Sequence, residues 1–223
     1  CLRSLENIEV EGIFTHFALA DNSQSSYTQV QFEKFKKLIS ELENKGFKIP
    51  IKHAANSAAT MLFKETHLDM VRIGIALYGL HPSSSTRKIL DLKPVLIWKA
   101  KVSFVKTLEA GEGVSYGLTY RVPKKTQIAT IPLGYADGYT RLLSNKSEVL
   151  VNGKRAPVVG NICMDHLMIN VGNIPDVVKG TEVVLIGKQK NEEISSDEIA
   201  SILGTINYEV VCMINRRIPR VYC

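Results

Sequence analysis

The spacing of apolar positions changes partway along the chain, and the change separates two regions. In the first, apolar runs alternate with a helical pattern. Residues 10–17 are apolar, β-branched and aromatic, which predicts a buried strand, and the polar stretch 21–26 predicts a loop after it. Phe32, Phe35, Leu38, Ile39 and Leu42 recur at helical spacing, with Lys45 and Gly46 as a cationic last turn and a stop. Residues 49–53 read as a short strand, Asn56 or Ser57 as the N-cap of an Ala-rich helix, and residues 70–80 as an apolar strand interrupted by Arg72. This β-α-β-α-β order predicts a parallel sheet or part of a barrel.

Residues 81–94, with three consecutive serines and a proline near each end, read as a linker, so the domains are expected at 1–92 and 93–223. Beyond it Leu96, Trp98, Ala100, Val102 and Phe104 alternate with Ile97, Lys99, Lys101, Ser103 and Val105, the period of a half-buried strand. Further strand-like runs are 127–133, 148–151, 156–159, 166–171 and 181–187, and Asn152-Gly153 between two of them signals a tight hairpin. Ser195 with Glu198 forms a capping box before 199–203, and a last apolar segment covers 206–214. The fold class expected is therefore α/β plus β.

Composition narrows the classes. The chain has 223 residues, 45% of them hydrophobic, which supports a folded core and excludes disorder and collagen-like repetition. Its charge of +6 comes from scattered lysines without interleaved aromatics, so no nucleic-acid partner is expected. No apolar run reaches the ~20 residues of a membrane-spanning helix, and no membrane association is expected. The four cysteines, Cys1, Cys163, Cys212 and Cys223, form no CxxC pair and are expected as free thiols in a reducing cytoplasm.

Several residues could carry chemistry. Residues 53–57 stand where a strand meets a helix, a place where free N–H groups attract anions; Ser57 there is either a phosphate donor or an ordinary cap. Arg72 inside an apolar run must find an acceptor, in a site or in a structural ion pair. Gly74 either lets backbone N–H groups approach a phosphate or eases packing. His16, at a strand end, is either a ligand-side group or structural. Gly111-Glu-Gly-Val-Ser-Tyr116 lacks the last glycine of a dinucleotide fingerprint and is not read as one. Cys163-Met-Asp-His166 offers metal-ligand types that a strand would point to opposite faces, so no metal is expected.

Seven segments in order resemble the alanine racemase family: Gly12-Ile-Phe-Thr-His-Phe-Ala-Leu-Ala-Asp21, His53-Ala-Ala-Asn-Ser-Ala-Ala59, Met70-Val-Arg-Ile-Gly-Ile-Ala-Leu-Tyr-Gly79, Val114-Ser-Tyr-Gly117, Ile131-Pro-Leu-Gly-Tyr-Ala-Asp-Gly138, Ile162-Cys-Met-Asp165 and Ile206-Asn-Tyr-Glu209. The resemblance implies the C-terminal part of an (α/β)8 barrel that binds pyridoxal 5′-phosphate (PLP), followed by a mostly β domain. It further implies a head-to-tail homodimer and two-base interconversion of L-alanine and D-alanine, supplying D-alanine for peptidoglycan. Ser57, Tyr208 and the backbone of Gly74 and Ile75 match the phosphate contacts, with Asn56 beside them. Arg72 matches the arginine facing the pyridine nitrogen, and His16 and His53 match histidines networked with it. Tyr116 matches the catalytic tyrosine that acts in the partner's site, and Met164 the backbone donor to the substrate carboxylate. Asp21, Tyr135, Arg141 and Ile206 match the entry corridor, where Asn161 departs from the arginine of some members.

The family's PLP lysine lies in a Lys-Ala-Asn-Ala-Tyr-Gly-His-Gly-like stretch with no counterpart here. A whole barrel takes about 250 residues, so the chain is expected to be a fragment of a longer gene product. Alternatives are a serine racemase of the vancomycin-resistance type, against which Tyr208 argues, and a non-catalytic fragment that at most docks a partner.

Overall fold

Phe32, Phe35 and Ile39 lie buried on one stripe of an 18-residue helix, α1 (Tyr27–Asn44), in the computed structural model, which describes residues 7–222. The stripe packs with Phe17, Ala54, Ala55, Ala58 and Ala59. α1 thereby forms the crossover between two parallel strands, β1 (Gly12–Phe14) and β2 (Ile51–His53). Lys45 is its C-cap, and Gly46 follows at φ 77°, a left-handed conformation that glycine adopts without cost. Asn56 caps the next helix, α2 (Ser57–Leu62), its Oδ1 accepting from the Ala59 N–H at 3.0 Å.

Three expectations for this region need correction. The strand expected over 10–17 pairs only at Gly12–Phe14, and Phe14 is 62% exposed, because β1 has a partner strand on one edge only among the described residues. The strand expected over 70–80 is a single bridge from Met70 to His53, then irregular backbone and a 3-10 turn at Ile75–Tyr78. An apolar run has the same composition in a strand and in a buried turn, so its pattern could not separate them. Residues 81–94 are more than a linker: they contain a 3-10 turn at Ser84–Lys88. Lys93 also presses so close to Gly79 that a Cβ there would sit 1.8 Å from the Lys93 carbonyl oxygen.

The chain divides after Val95, and residues from Leu96 onward form a second unit. The strand expected over 96–105 breaks in two. β3 (Trp98–Lys101) pairs with one sheet and β4 (Phe104–Leu108) with another, and at the corner Val102 donates to the Thr181 carbonyl and Ser103 to the Thr130 carbonyl. After β5 (Gly113–Val114) and β6 (Tyr120–Arg121) come β7 (Thr126–Ile131), β8 (Glu148–Val151), β9 (Lys154–Pro157), β10 (Leu167–Asn170), β11 (Glu182–Gln189) and β12 (Glu192–Ile194). β4, β7 and β10 form an antiparallel sheet, and β3, β8, β9, β11 and β12 another. Their inner faces bury Ile131, Leu150, Leu167, Ile169 and Leu185 in one core with Trp98 and Tyr139, whose rings meet edge-on at 5.8 Å. Asn152 and Gly153, both at positive φ, make the β8–β9 hairpin, and Ser195 caps α3 (Ser196–Leu203) by accepting from the Glu198 N–H. The last helix is α4 (Asn207–Met213).

Arg155 on β9 gathers three carboxylates that sequence patterning does not connect. It bridges Glu198 with two N–H groups at 2.7 and 3.0 Å, Glu148 at 3.1 Å and Glu192 at 3.0 Å, and donates to the Glu193 carbonyl at 2.6 Å. Arg155→Met removes the common donor and leaves three anions facing one another, an expected loss of ~1–3 kcal/mol. A lower urea midpoint with unchanged slope checks it.

Candidate functional site

Segment 70–76 runs parallel to 53–57 with alternate residues tied: Met70 bridges His53, the Arg72 N–H donates to the Ala55 carbonyl at 2.9 Å, and the Gly74 N–H donates to Ser57 Oγ at 2.9 Å. This register places the Arg72 guanidinium between the ends of β1 and β2. It donates to His53 Nδ1 at 2.7 Å, to the Thr15 carbonyl at 2.9 Å and to the Ala54 carbonyl at 3.2 Å, and lies 3.3 Å from His16 Nδ1. A guanidinium only donates, so His53 Nδ1 must be bare and the ring neutral, with its proton on Nε2. Burial lowers the His53 pKa below the ordinary 6.5, and the Arg72 charge adds to the effect. Phe14 stacks on the His53 ring at 5.3 Å and lies 5.2 Å from the guanidinium.

Arg72 has no carboxylate partner among the described residues, and its Nε–H and second NH1 proton have no acceptor among them. The site therefore presents two donors and a full positive charge to whatever binds there. A pyridine nitrogen without a proton is such an acceptor. Farther along, Ser57 is 4% exposed and its Oγ accepts from Gly74 and, at 3.4 Å, Ala76, leaving its own proton to donate. The Ile75 N–H opens the 3-10 turn and has no intrahelical partner. A Cβ on Gly74 would project into space whose nearest neighbour is Ser57 Oγ at 3.9 Å. These residues fit PLP, with ring-nitrogen donors at one end and hydroxyl and amide donors at the other. Asn56 Oδ1 is engaged as the α2 cap, and α2 has only six residues, so the hydroxyl and the 74–76 backbone form this cradle.

In the second unit a cluster of loops gathers other expected residues. Tyr116 opens a 3-10 turn and is 75% exposed. Ser115 before it has φ 64° and ψ −179°, a region that residues with a Cβ adopt at a cost. A reciprocal pair of bonds offsets the strain: Ser115 Oγ donates to the Asn161 carbonyl at 2.5 Å, and Asn161 Nδ2 donates to the Tyr116 carbonyl at 2.7 Å. Asn161 thus braces the Tyr116 turn. Tyr135 and Ala136 donate backbone N–H groups to the Cys163 and Met164 carbonyls, both at 3.0 Å, while the Met164 N–H has no acceptor among the described residues. Gly134 permits this approach, since a Cβ there would sit 2.2 Å from the Cys163 carbonyl oxygen and 2.5 Å from that of Met164. Gly134→Ala should therefore cost ~1–3 kcal/mol by overpacking, read as a lower melting temperature.

The remaining expected residues are spread more widely. Asp21 lies in the exposed turn after β1, Arg141 opens a 3-10 turn at Arg141–Leu143, Ile206 is the N-cap of α4, and Tyr208 lies in that helix's first turn. Cys163 and Cys212 are free thiols, whereas Cys1 and Cys223 lie outside the described residues. Among the described residues no group of His, Cys, Asp and Glu could hold a metal, and no helix is long and apolar enough to cross a membrane. Sequence reasoning missed Phe14, the bracing role of Asn161 and Arg217. Arg217 binds both Asp137, at 2.6 Å, and Asp165; the only sequence signal for it is the Arg216-Arg217 pair after the last apolar segment.

Comparison with known proteins shows the family to which the chain belongs. The family model of the alanine racemase N-terminal domain matches residues 1–82, and that of the alanine racemase C-terminal domain matches residues 95–222. The alanine racemase of Halothermothrix orenii is 52% identical over 99% of this chain and 58% of its own length, and that of Methanococcus maripaludis is 52% identical over 99% and 59%. The Clostridium difficile alanine racemase solved in complex with cycloserine superposes with a TM-score of 0.92 at 45% identity, covering 97% of this chain and 57% of that one. The Bacillus anthracis enzyme with bound L-Ala-P gives 0.92 at 45% identity, covering 96% and 55%. The chain thus spans somewhat more than half the length of the relatives it matches.

Proposed function

This chain belongs to the alanine racemase family, and from that premise we propose that it carries the cofactor-ring and phosphate sites and the tyrosine arm of an enzyme interconverting L-alanine and D-alanine. The observation that carries the reading is Arg72, a cation held among the described residues by neutral acceptors alone, with two N–H groups left over. When bound, PLP supplies an electron-withdrawing ring that acidifies the substrate's α-proton.

Each residue then has a stated task. Arg72 donates to the ring nitrogen and gives up no proton, so that nitrogen stays bare and electron withdrawal is moderated. His53 accepts from Arg72 and, with His16, fixes the direction of the guanidinium. Ser57 and the Ile75 N–H hold the phosphate, the Gly74 N–H orients the Ser57 hydroxyl by donating to its Oγ, and Asn56 shapes the turn that presents Ser57, while Tyr208 matches a further phosphate contact of the family. Tyr116 exchanges a proton on one face of the α-carbon in the site of a partner in a head-to-tail homodimer, and a lysine outside this chain serves the other face. The Met164 N–H donates to the substrate carboxylate, and Asp21, Tyr135, Arg141 and Ile206 match the family's entry corridor. The enzyme works in the cytoplasm and feeds D-alanine to peptidoglycan.

The test is an assembled enzyme in which this chain replaces the matching part of the H. orenii relative. It should bind PLP with a yellow colour and racemise L-alanine in preference to L-serine. A folded but colourless protein given ample PLP would refute the cofactor reading, and a preference for serine would refute the substrate.

A further inference from the structure

Resting on the reading of Met164 as the carboxylate donor, we propose that Arg217 is a positioning residue, holding the Met164 loop in place by binding Asp165 and Asp137 with one guanidinium. Met164 lies in a bend of three residues between the Cys163 N–H, which donates to the His166 carbonyl at 2.8 Å, and β10. Its backbone is fixed on one side by the Tyr135 and Ala136 N–H groups. Asp165, the next residue, has one recorded anchor among the described residues, Arg217 NH2. Arg217 Nε meanwhile donates to Asp137 Oδ1 at 2.6 Å, and Asp137 Oδ2 accepts from the Gly134 N–H at 2.8 Å, on the same segment that supports the Cys163 and Met164 carbonyls.

The anchor is itself well held. Asp137 is buried. Burial pushes its carboxyl upward, but the Arg217 hydrogen bond, the Gly134 N–H and the Arg217 charge outweigh that and keep it below the ordinary range. The Asp137 carbonyl accepts from the Asn215 N–H at 2.9 Å, and Asn215 Oδ1 accepts from the Arg217 N–H at 3.0 Å, so the turn after α4 is pinned to the same residue. Arg217 therefore joins three segments, 134–137, 163–165 and 215–217, around the free Met164 N–H. Its Nε and NH2 each serve one carboxylate, a division that a planar fork holds in fixed directions and an ammonium with rotatable donors holds less rigidly.

Arg217→Leu, Arg217→Lys and Asp165→Asn in the assembled enzyme test this. A hydrogen bond to a charged group carries ~10- to 100-fold in affinity, so Arg217→Leu should raise the alanine KM by about tenfold or more while kcat and PLP content hold. Arg217→Lys should recover part of the loss. Asp165→Asn, at a half-exposed carboxylate, should give the same split even where Arg217→Leu folds poorly. A lower melting temperature with unchanged KM in Arg217→Leu and Asp165→Asn would overturn the proposal, as would a fall in kcat alone. Met164→Pro, which has no N–H, tests the underlying reading separately. An unchanged KM there sinks the donor assignment, and the proposal with it; a raised KM there with none in Arg217→Leu sinks Arg217's role only.

Discussion

Tyr116→Phe is expected to lower kcat of the assembled enzyme by ~10²- to 10⁴-fold, the usual contribution of a positioned acid or base, while PLP content and melting temperature stay near those of the parent. The phenol ring is 75% exposed and its hydroxyl has no partner among the described residues, so removing the oxygen leaves no orphaned group behind. Phe keeps the ring, and the brace from Asn161 acts on the main chain, so the turn survives the change. The diagnostic measurement is exchange of the α-hydrogen with heavy water for each enantiomer separately. A two-base enzyme without one base should still exchange the enantiomer served by the other and fail on its mirror image. Equal exchange for both enantiomers, or an unchanged kcat, would remove Tyr116 from the reaction.

Arg72→Leu is the second large effect, and it divides into stability and binding. The substitution strips the donor from His53 Nδ1 and from the Thr15 and Ala54 carbonyls, an expected loss of ~2–4 kcal/mol in the first unit. PLP retention should fall as well, because the ring nitrogen loses its only cationic donor in this reading. Arg72→Lys should rescue little, since a single ammonium does not reproduce the spread of a guanidinium across acceptors on two backbone segments, 15–16 and 53–54.

The pH dependence of the same residue follows from His53. Its pKa in the folded state is lowered by burial first and by the Arg72 charge second, so the unfolded chain binds the proton more readily. Stability attributable to this group is therefore unaffected above about pH 6.5 and declines as pH falls below it. Removing Arg72 takes away the second cause, so the acid-side decline should become shallower in Arg72→Leu even though the protein is weaker overall. Melting temperatures between about pH 5 and 8 check the sign; a steeper decline in the variant would contradict the assigned tautomer.

The local features were legible because their causes lie within a few residues. The α1 helix, the Asn152-Gly153 hairpin and the Ser195 cap each depend on spacing or on a backbone angle that neighbours dictate, and each appears where the pattern puts it, although Leu38 of the apolar set on α1 is exposed and only Phe32, Phe35 and Ile39 of that set are buried. The need of Arg72 for acceptors was equally plain from its apolar surroundings, and the ordered motifs pointed to the family. The histidine partners were expected only through the resemblance, and the backbone acceptors were not legible, since Thr15 lies 57 residues away along the chain and Ala54 lies 18.

By itself, then, the sequence determined the family, the helix and hairpin signals, and the residue types that the chemistry needs. Tertiary structure alone decided that the alternating run after residue 95 turns a corner at Val102 and Ser103, because two separate sheets compete for its backbone hydrogen bonds. It also decided that the apolar stretch after Met70 coils into a turn, and that Arg217 meets Asp137 and Asp165 across 80 and 52 residues. Periodicity reports which face of an element is apolar. Which distant group fills a donor's remaining valence is fixed only when the chain has closed on itself.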